Sequence, residues 1–116
     1  MQQLTVAQIG TQLAQWRTEG RQPVLLDVRE PWELATARID PASLPGITLT
    51  TIPMQEVPAR LAELPRDEPI LSLCHHGMRS LHVAMFLDRQ GYPHVYNIMG
   101  GIEAWSTQID PSVPRY

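Results

Sequence analysis

One stretch constrains the fold of this chain more than any other. It runs Ile70-Leu71-Ser72-Leu73-Cys74-His75-His76-Gly77-Met78-Arg79-Ser80 and continues into Leu81-His82-Val83-Ala84-Met85-Phe86-Leu87. An apolar run, a short loop opening on the only cysteine, and a second apolar run read as strand, loop and helix. A strand rich in Ile and Leu, entered from Pro69, suits the interior of a parallel sheet. No Gly or Pro interrupts residues 79–90, and Gly91-Tyr92-Pro93 supplies the helix stop. Cys74 is therefore expected at the carboxyl end of a strand and the mouth of a helix. Open α/β sheets hold their ligands there.

A cysteine at that place has a chemical logic. The thiolate is the nucleophile, and a free thiol is mostly protonated near neutral pH. A helix N-terminus offers unpaired N–H groups and a partial positive charge, both of which favour the anion. Four residues separate Cys74 from Arg79, so the loop has to curl tightly. Gly77 can take the positive φ that such a curl demands, and successive N–H groups in it form a nest for an anion. Arg79 adds a permanent charge and a fork of donors. Such a loop holds a thiolate together with an anionic group delivered to it. A lone cysteine is otherwise a small core hydrophobe; the setting between buried strand and Gly-bearing loop is what marks this one as a nucleophile.

The remaining elements alternate. Thr5-Val6-Ala7-Gln8 fits a capping box, and Val6, Ile9, Leu13 and Trp16 then share one helical face up to Gly20. Val24-Leu25-Leu26-Asp27-Val28 is a second buried strand that runs out on Asp27 and Arg29. Charges at that end are candidates for the site, or form a buried ion pair that fixes the following turn. Residues 30–35 suit a short helix with Pro31 at its first position. Residues 47–53 alternate and are β-branched, hence a strand ending at Pro53. Pro58 is expected to open a helix with Leu61 and Leu64 inward, stopped by Pro65. Val95-Tyr96-Asn97-Ile98 is the last strand, and Gly100-Gly101 turns into a short helix ending near Trp105. The tail, with Pro111 and Pro114, is expected to lie extended against the body.

The composition narrows the function. A net charge of −3 with no basic block argues against nucleic acid or an anionic membrane as partner. All nine basic residues are Arg, which removes Schiff-base chemistry. One cysteine forms no internal disulfide. The N-terminal residues lack a basic region and a long apolar stretch, and no run reaches membrane-spanning length. A cytoplasmic location is the expectation. Cys74-His75-His76 does not read as a metal site, because adjacent side chains rarely converge and no second Cys completes the ligand set that zinc takes. His82 reads as a surface residue, and His94 follows Pro93 in a turn with no evident partner.

Three segments together carry a family resemblance. Cys74-His75-His76-Gly77-Met78-Arg79-Ser80 resembles the active-site loop of rhodanese-type sulfurtransferases: a Cys, four residues, then Arg and a Ser or Thr. Leu26-Asp27-Val28-Arg29-Glu30-Pro31-Trp32-Glu33-Leu34 resembles that family's Asp-Val-Arg-x-x-x-Glu stretch, and Asn97-Ile98-Met99-Gly100-Gly101-Ile102-Glu103-Ala104-Trp105 its closing segment. Where the family usually carries Gly-His-Ile, this chain has Ala37-Arg38-Ile39.

The resemblance implies a rhodanese-like α/β fold, with a central, mainly parallel sheet of about five strands flanked by helices on both faces. It implies one domain over residues 1–116, with a core at roughly 4–105 and an extended tail at 106–116. It further implies transfer of sulfane sulfur from a donor such as thiosulfate to a thiophilic acceptor through a Cys74 persulfide. Cys74 is then catalytic, and His75, His76, Gly77, Met78, Arg79 and Ser80 bind substrate. Asp27, Arg29 and Glu33 support the loop, and Arg79 either braces the loop by pairing with Asp27 or Glu33 or meets the donor directly. No metal or other cofactor is implied. The partners would be a small anionic sulfur donor and a thiol or protein acceptor, without nucleic acid or membrane. Two rivals stand beside this reading. Rhodanese-fold phosphatases and arsenate reductases resemble the arrangement but space Cys and Arg by five residues, a larger cradle than the four found here. A non-catalytic module that binds a partner or senses redox state is the other.

Overall fold

A computed structural model describes all 116 residues of the chain. Five strands form one sheet: β1 (Gln2–Leu4), β2 (Val24–Asp27), β3 (Thr48–Thr51), β4 (Ile70–Leu73) and β5 (Val95–Ile98). Their order across the sheet is β1-β5-β4-β2-β3, and every pairing is parallel. The helices are α1 (Val6–Thr18), α2 (Pro31–Thr36), α3 (Met78–Arg89) and α4 (Gly101–Gln108). No helix is long and apolar enough to cross a membrane.

The apolar periodicity decides which face each helix covers. Val6, Ile9, Leu13 and Trp16 of α1 join Ile102 and Trp105 of α4 against Leu25, Leu71 and Leu73. On the opposite face Val83, Ala84 and Leu87 of α3 pack with Val57 and Leu64 against Leu26, Val28 and Ile70. β2 and β4 are buried along their whole length, as their apolar sequences require. At the start of α1, Gln8 Oε1 accepts the Thr5 N–H at 2.9 Å, which is the expected capping contact.

Four details differ from the sequence reading. Gln2–Leu4 forms an edge strand on β5 although its own residues lack a β pattern; the free edge of β5 recruits it. Residues 54–63 form 3₁₀ turns beginning at Met54, where an α-helix opening at Pro58 was expected. Pro58 has no N–H to donate, and Arg60 leaves helical geometry at φ −120°. Leu64 is buried as expected, but Leu61 is only half-buried. Helix α4 continues to Gln108, so residues 106–108, expected in the tail, complete its last turn.

Candidate active site

Cys74 follows the last residue of β4 and is 1% exposed. Its side chain belongs to the apolar cluster under α3, because Leu71 and Leu73 point to the other face. Its Sγ accepts the Gly77 N–H at 3.1 Å. Gly77 has φ 103°, a conformation that a side chain would strain, and it caps α3. The thiol thus lies at the helix mouth, against a backbone donor.

The loop is held from outside by α4. The Ile102 N–H donates to the Cys74 carbonyl at 2.9 Å and the Glu103 N–H to the His75 carbonyl at 3.1 Å. These are N–H groups that a helix start leaves without partners in its own turn. Gly101 lies between: a Cβ there would collide with the carbonyl oxygens of Cys74 and His75. Asn97, at the end of β5, completes the brace. Its Nδ2 donates to the Gly77 carbonyl at 3.2 Å and its Oδ1 accepts the Ser80 hydroxyl at 2.6 Å. Ser80, expected among the substrate-binding residues, is therefore fully buried with its hydroxyl turned onto Asn97. It braces the loop.

A charged network runs along the carboxyl end of β2. Arg29 is fully buried and forks onto Asp27, with Nε 2.9 Å from Oδ1 and Nη2 2.8 Å from Oδ2. Glu33 comes from α2 and is nearly buried. Arg79 places Nη1 2.6 Å from Glu33 Oε1 and Nη2 2.8 Å from Oε2. These bonds, with help from the Tyr116 hydroxyl, hold the Glu33 carboxyl down at about 2 despite its burial. Glu33 in turn raises Arg79 above its usual range, opposed by burial and reinforced by the charge of neighbouring Cys74. Of the two partners that the sequence left open for Arg79, the structure gives Glu33; Asp27 belongs to Arg29.

His75 and His76 stack on each other at 3.9 Å between ring centroids. Burial and the neighbouring His76 charge lower the pKa of His75. Met78 projects into solvent beside His76 and, with Leu81, Asn97 and Met99, lines a shallow cleft of about 160 Å³.

Tyr116 escaped the sequence reading. Its ring stacks on His75 at 3.8 Å, and its hydroxyl meets both Arg29 and Glu33. Nothing in the local pattern beyond a polar-tipped aromatic after two prolines signalled it. Asn97 and Gly101, by contrast, belong to the family-like closing segment; the sequence assigns Gly101 to the turn into α4 but does not show that it or Asn97 meets the cysteine loop.

A parallel α/β sheet with a cysteine loop at its carboxyl edge, gripped by a Gly-Gly helix start, defines a narrow structural class. The Rhodanese-like domain family matches residues 11–108, and the chain belongs to that family. A sulfurtransferase of Allochromatium vinosum is 34% identical over 101 residues, covering 87% of this chain and 88% of that protein. The chloroplastic rhodanese-like/PpiC domain-containing protein 12 of Arabidopsis thaliana is 42% identical over 96 residues, 79% of this chain. Its match takes in only 30% of the plant protein's own length. Among solved structures, a rhodanese-related protein from Thermoplasma volcanium superposes with a TM-score of 0.69 at 26% identity, covering 100% of both chains.

Proposed function

We propose that this protein is a sulfurtransferase that carries sulfane sulfur on Cys74, and that it is served by a small anionic donor of the thiosulfate type. One observation carries the reading: the Cys74 Sγ lies against the Gly77 N–H at 3.1 Å, at the mouth of α3. A backbone donor and a helix start face the sulfur there and suit negative charge that develops on it as sulfur is taken up. The names of its relatives agree with this class of reaction.

The chemistry is covalent catalysis in two halves. The Cys74 thiolate attacks the outer sulfur of thiosulfate. A new sulfur–sulfur bond forms, the old one breaks, and its electron pair leaves with sulfite. Cys74 now carries a terminal sulfur with one negative charge. A thiophilic acceptor (cyanide in an assay, a thiol or a protein in the cell) attacks that sulfur. The electron pair of the breaking bond returns to Cys74. No net oxidation occurs, and the sequence needs no metal or other cofactor. Arg79 contributes a field at the mouth while its two Nη groups stay on Glu33. The lone thiol works only while reduced, so the reading includes a reducing compartment such as the cytosol.

The test is intact mass after incubation with thiosulfate, followed by cyanide. A gain of one sulfur, about 32 Da, is expected on the wild type, absent from Cys74→Ser and removed by cyanide with release of thiocyanate. No gain with thiosulfate or any other sulfane donor would leave the binding-module reading. The near-complete burial of Cys74 favours that second reading, since a donor has to be drawn into the loop to reach it.

A further inference from the structure

We propose that Tyr116 is a positioning residue that selects for anionic donors: its hydroxyl takes up part of the Glu33 charge and leaves the field of Arg79 free to act at the Cys74 loop. The proposal rests on the sulfur-transfer reading only for the identity of the anion.

The geometry is a row of alternating charges. Asp27 holds Arg29 from one side, and Arg29 Nη1 donates to the Tyr116 hydroxyl at 3.1 Å. That hydroxyl donates to Glu33 Oε2 at 2.7 Å, and Glu33 receives both Nη groups of Arg79. Arg29 polarises the phenol and strengthens it as a donor. Each Glu33 oxygen then has two donors. Oε1 takes Arg79 and the Glu30 N–H, and Oε2 takes Arg79 and Tyr116. Without the phenol, Oε2 has Arg79 alone, more of the carboxylate charge falls on that guanidinium, and less of its field reaches the loop mouth. Burial, chiefly, pushes the Tyr116 hydroxyl up to about 12, so it remains a proton donor throughout the working pH range.

The segment that brings Tyr116 here is built for the purpose. After α4, Val113 anchors in the core beside Trp105. Arg115 then closes onto the Glu103 carboxylate, with Nη2 2.6 Å from Oε2. Glu103 is also the residue whose N–H holds the His75 carbonyl. Strap and loop share one clamp. The Tyr116 ring lies flat on His75, 11° from parallel, and receives the edge of Trp32 at 6.0 Å.

The test compares wild type with Tyr116→Phe, which keeps the ring on His75 and removes only the hydroxyl. Cys74 is alkylated with anionic iodoacetate and with neutral iodoacetamide, and the ratio of the two rates is taken. The thiolate fraction enters both rates and cancels, so a variant that merely loosens the loop moves both together. The ratio is expected to fall roughly threefold in Tyr116→Phe. The KM for thiosulfate should rise by a similar factor with kcat little changed. Added salt should bring the wild-type ratio down toward the variant's, because the effect is one of screened charge. A ratio equal to that of wild type overturns the proposal. Alkylation needs no turnover, so a wild type that never forms a persulfide would defeat the sulfur-transfer reading and leave the Tyr116 comparison to be decided by the ratio.

Discussion

At the scale of single residues, Glu33 governs the site more than its sequence position suggested. It is one carboxylate serving Arg79, Tyr116 and the backbone start of its own helix. A carboxyl whose folded pKa is depressed stabilises the fold above its unfolded value and ceases to do so as pH falls through the folded one. For Glu33 those limits are 4.5 and about 2. The thermal midpoint of the wild type should therefore fall as the pH drops from about 5 toward 2. Glu33→Gln should fall less steeply over the same window and be less stable by about 2 kcal/mol at neutral pH, since Arg79 loses its counter-charge but keeps some access to water. A Glu33→Gln profile parallel to that of wild type would remove Glu33 from the acid response. Cys74→Ser is the opposite case. The serine oxygen still offers the Gly77 N–H an acceptor, so stability should stay within about 1 kcal/mol while sulfur loading disappears. A larger loss in a chemical-denaturation curve would mark Cys74 as a core residue first.

At the scale of elements, the loop is set by two helix starts. Helix α3 opens beneath it with Gly77, and α4 grips its carbonyls from the far side. Gly101→Ala should displace the Cys74 and His75 carbonyls, lower stability by about 2–3 kcal/mol and cut persulfide yield sharply. A Gly101→Ala variant with the urea midpoint and sulfur loading of wild type would show that α4 does not hold the loop. Much of this layer was legible in the chain. The strand–loop–helix around Cys74, the buried β2 and the Pro31 helix start all follow from local pattern, because each element buries the face its own residues define. The 3₁₀ turns at 54–63 were not, since a proline inside a mixed stretch permits either a helix start or a kink and packing of Val57 decides. Strand β1 was not either, because an edge is lent by its neighbour. Asp27, Arg29 and Glu33 could be collected from motif alone. Which arginine meets which acid is settled only by how α2 and α3 converge.

At the scale of the whole molecule, the site draws on every part of the chain. Glu33 reaches Arg79 across 46 positions and Tyr116 across 83, and Asn97 meets Gln3 across 94. The all-parallel order β1-β5-β4-β2-β3 enforces this, since parallel neighbours need crossovers and β1 pairs only with the last strand. Folding that rests on such distant contacts has to pay loop-closure entropy before those contacts reward it. Pulsed alkylation during refolding should show the Cys74 rate moving to its native value in one phase, together with the global signal. A native rate that precedes the fold would mean that the loop forms on local contacts alone.

The same wiring sets the order in which reactivity appears during synthesis. The cysteine leaves the ribosome ahead of Asn97, Gly101 and Tyr116, and so ahead of its brace, its clamp and its strap. A nascent chain of this protein carries its thiol on an unbraced loop, and the cradle proposed to take up sulfur is assembled only when residues 97–116 have followed it.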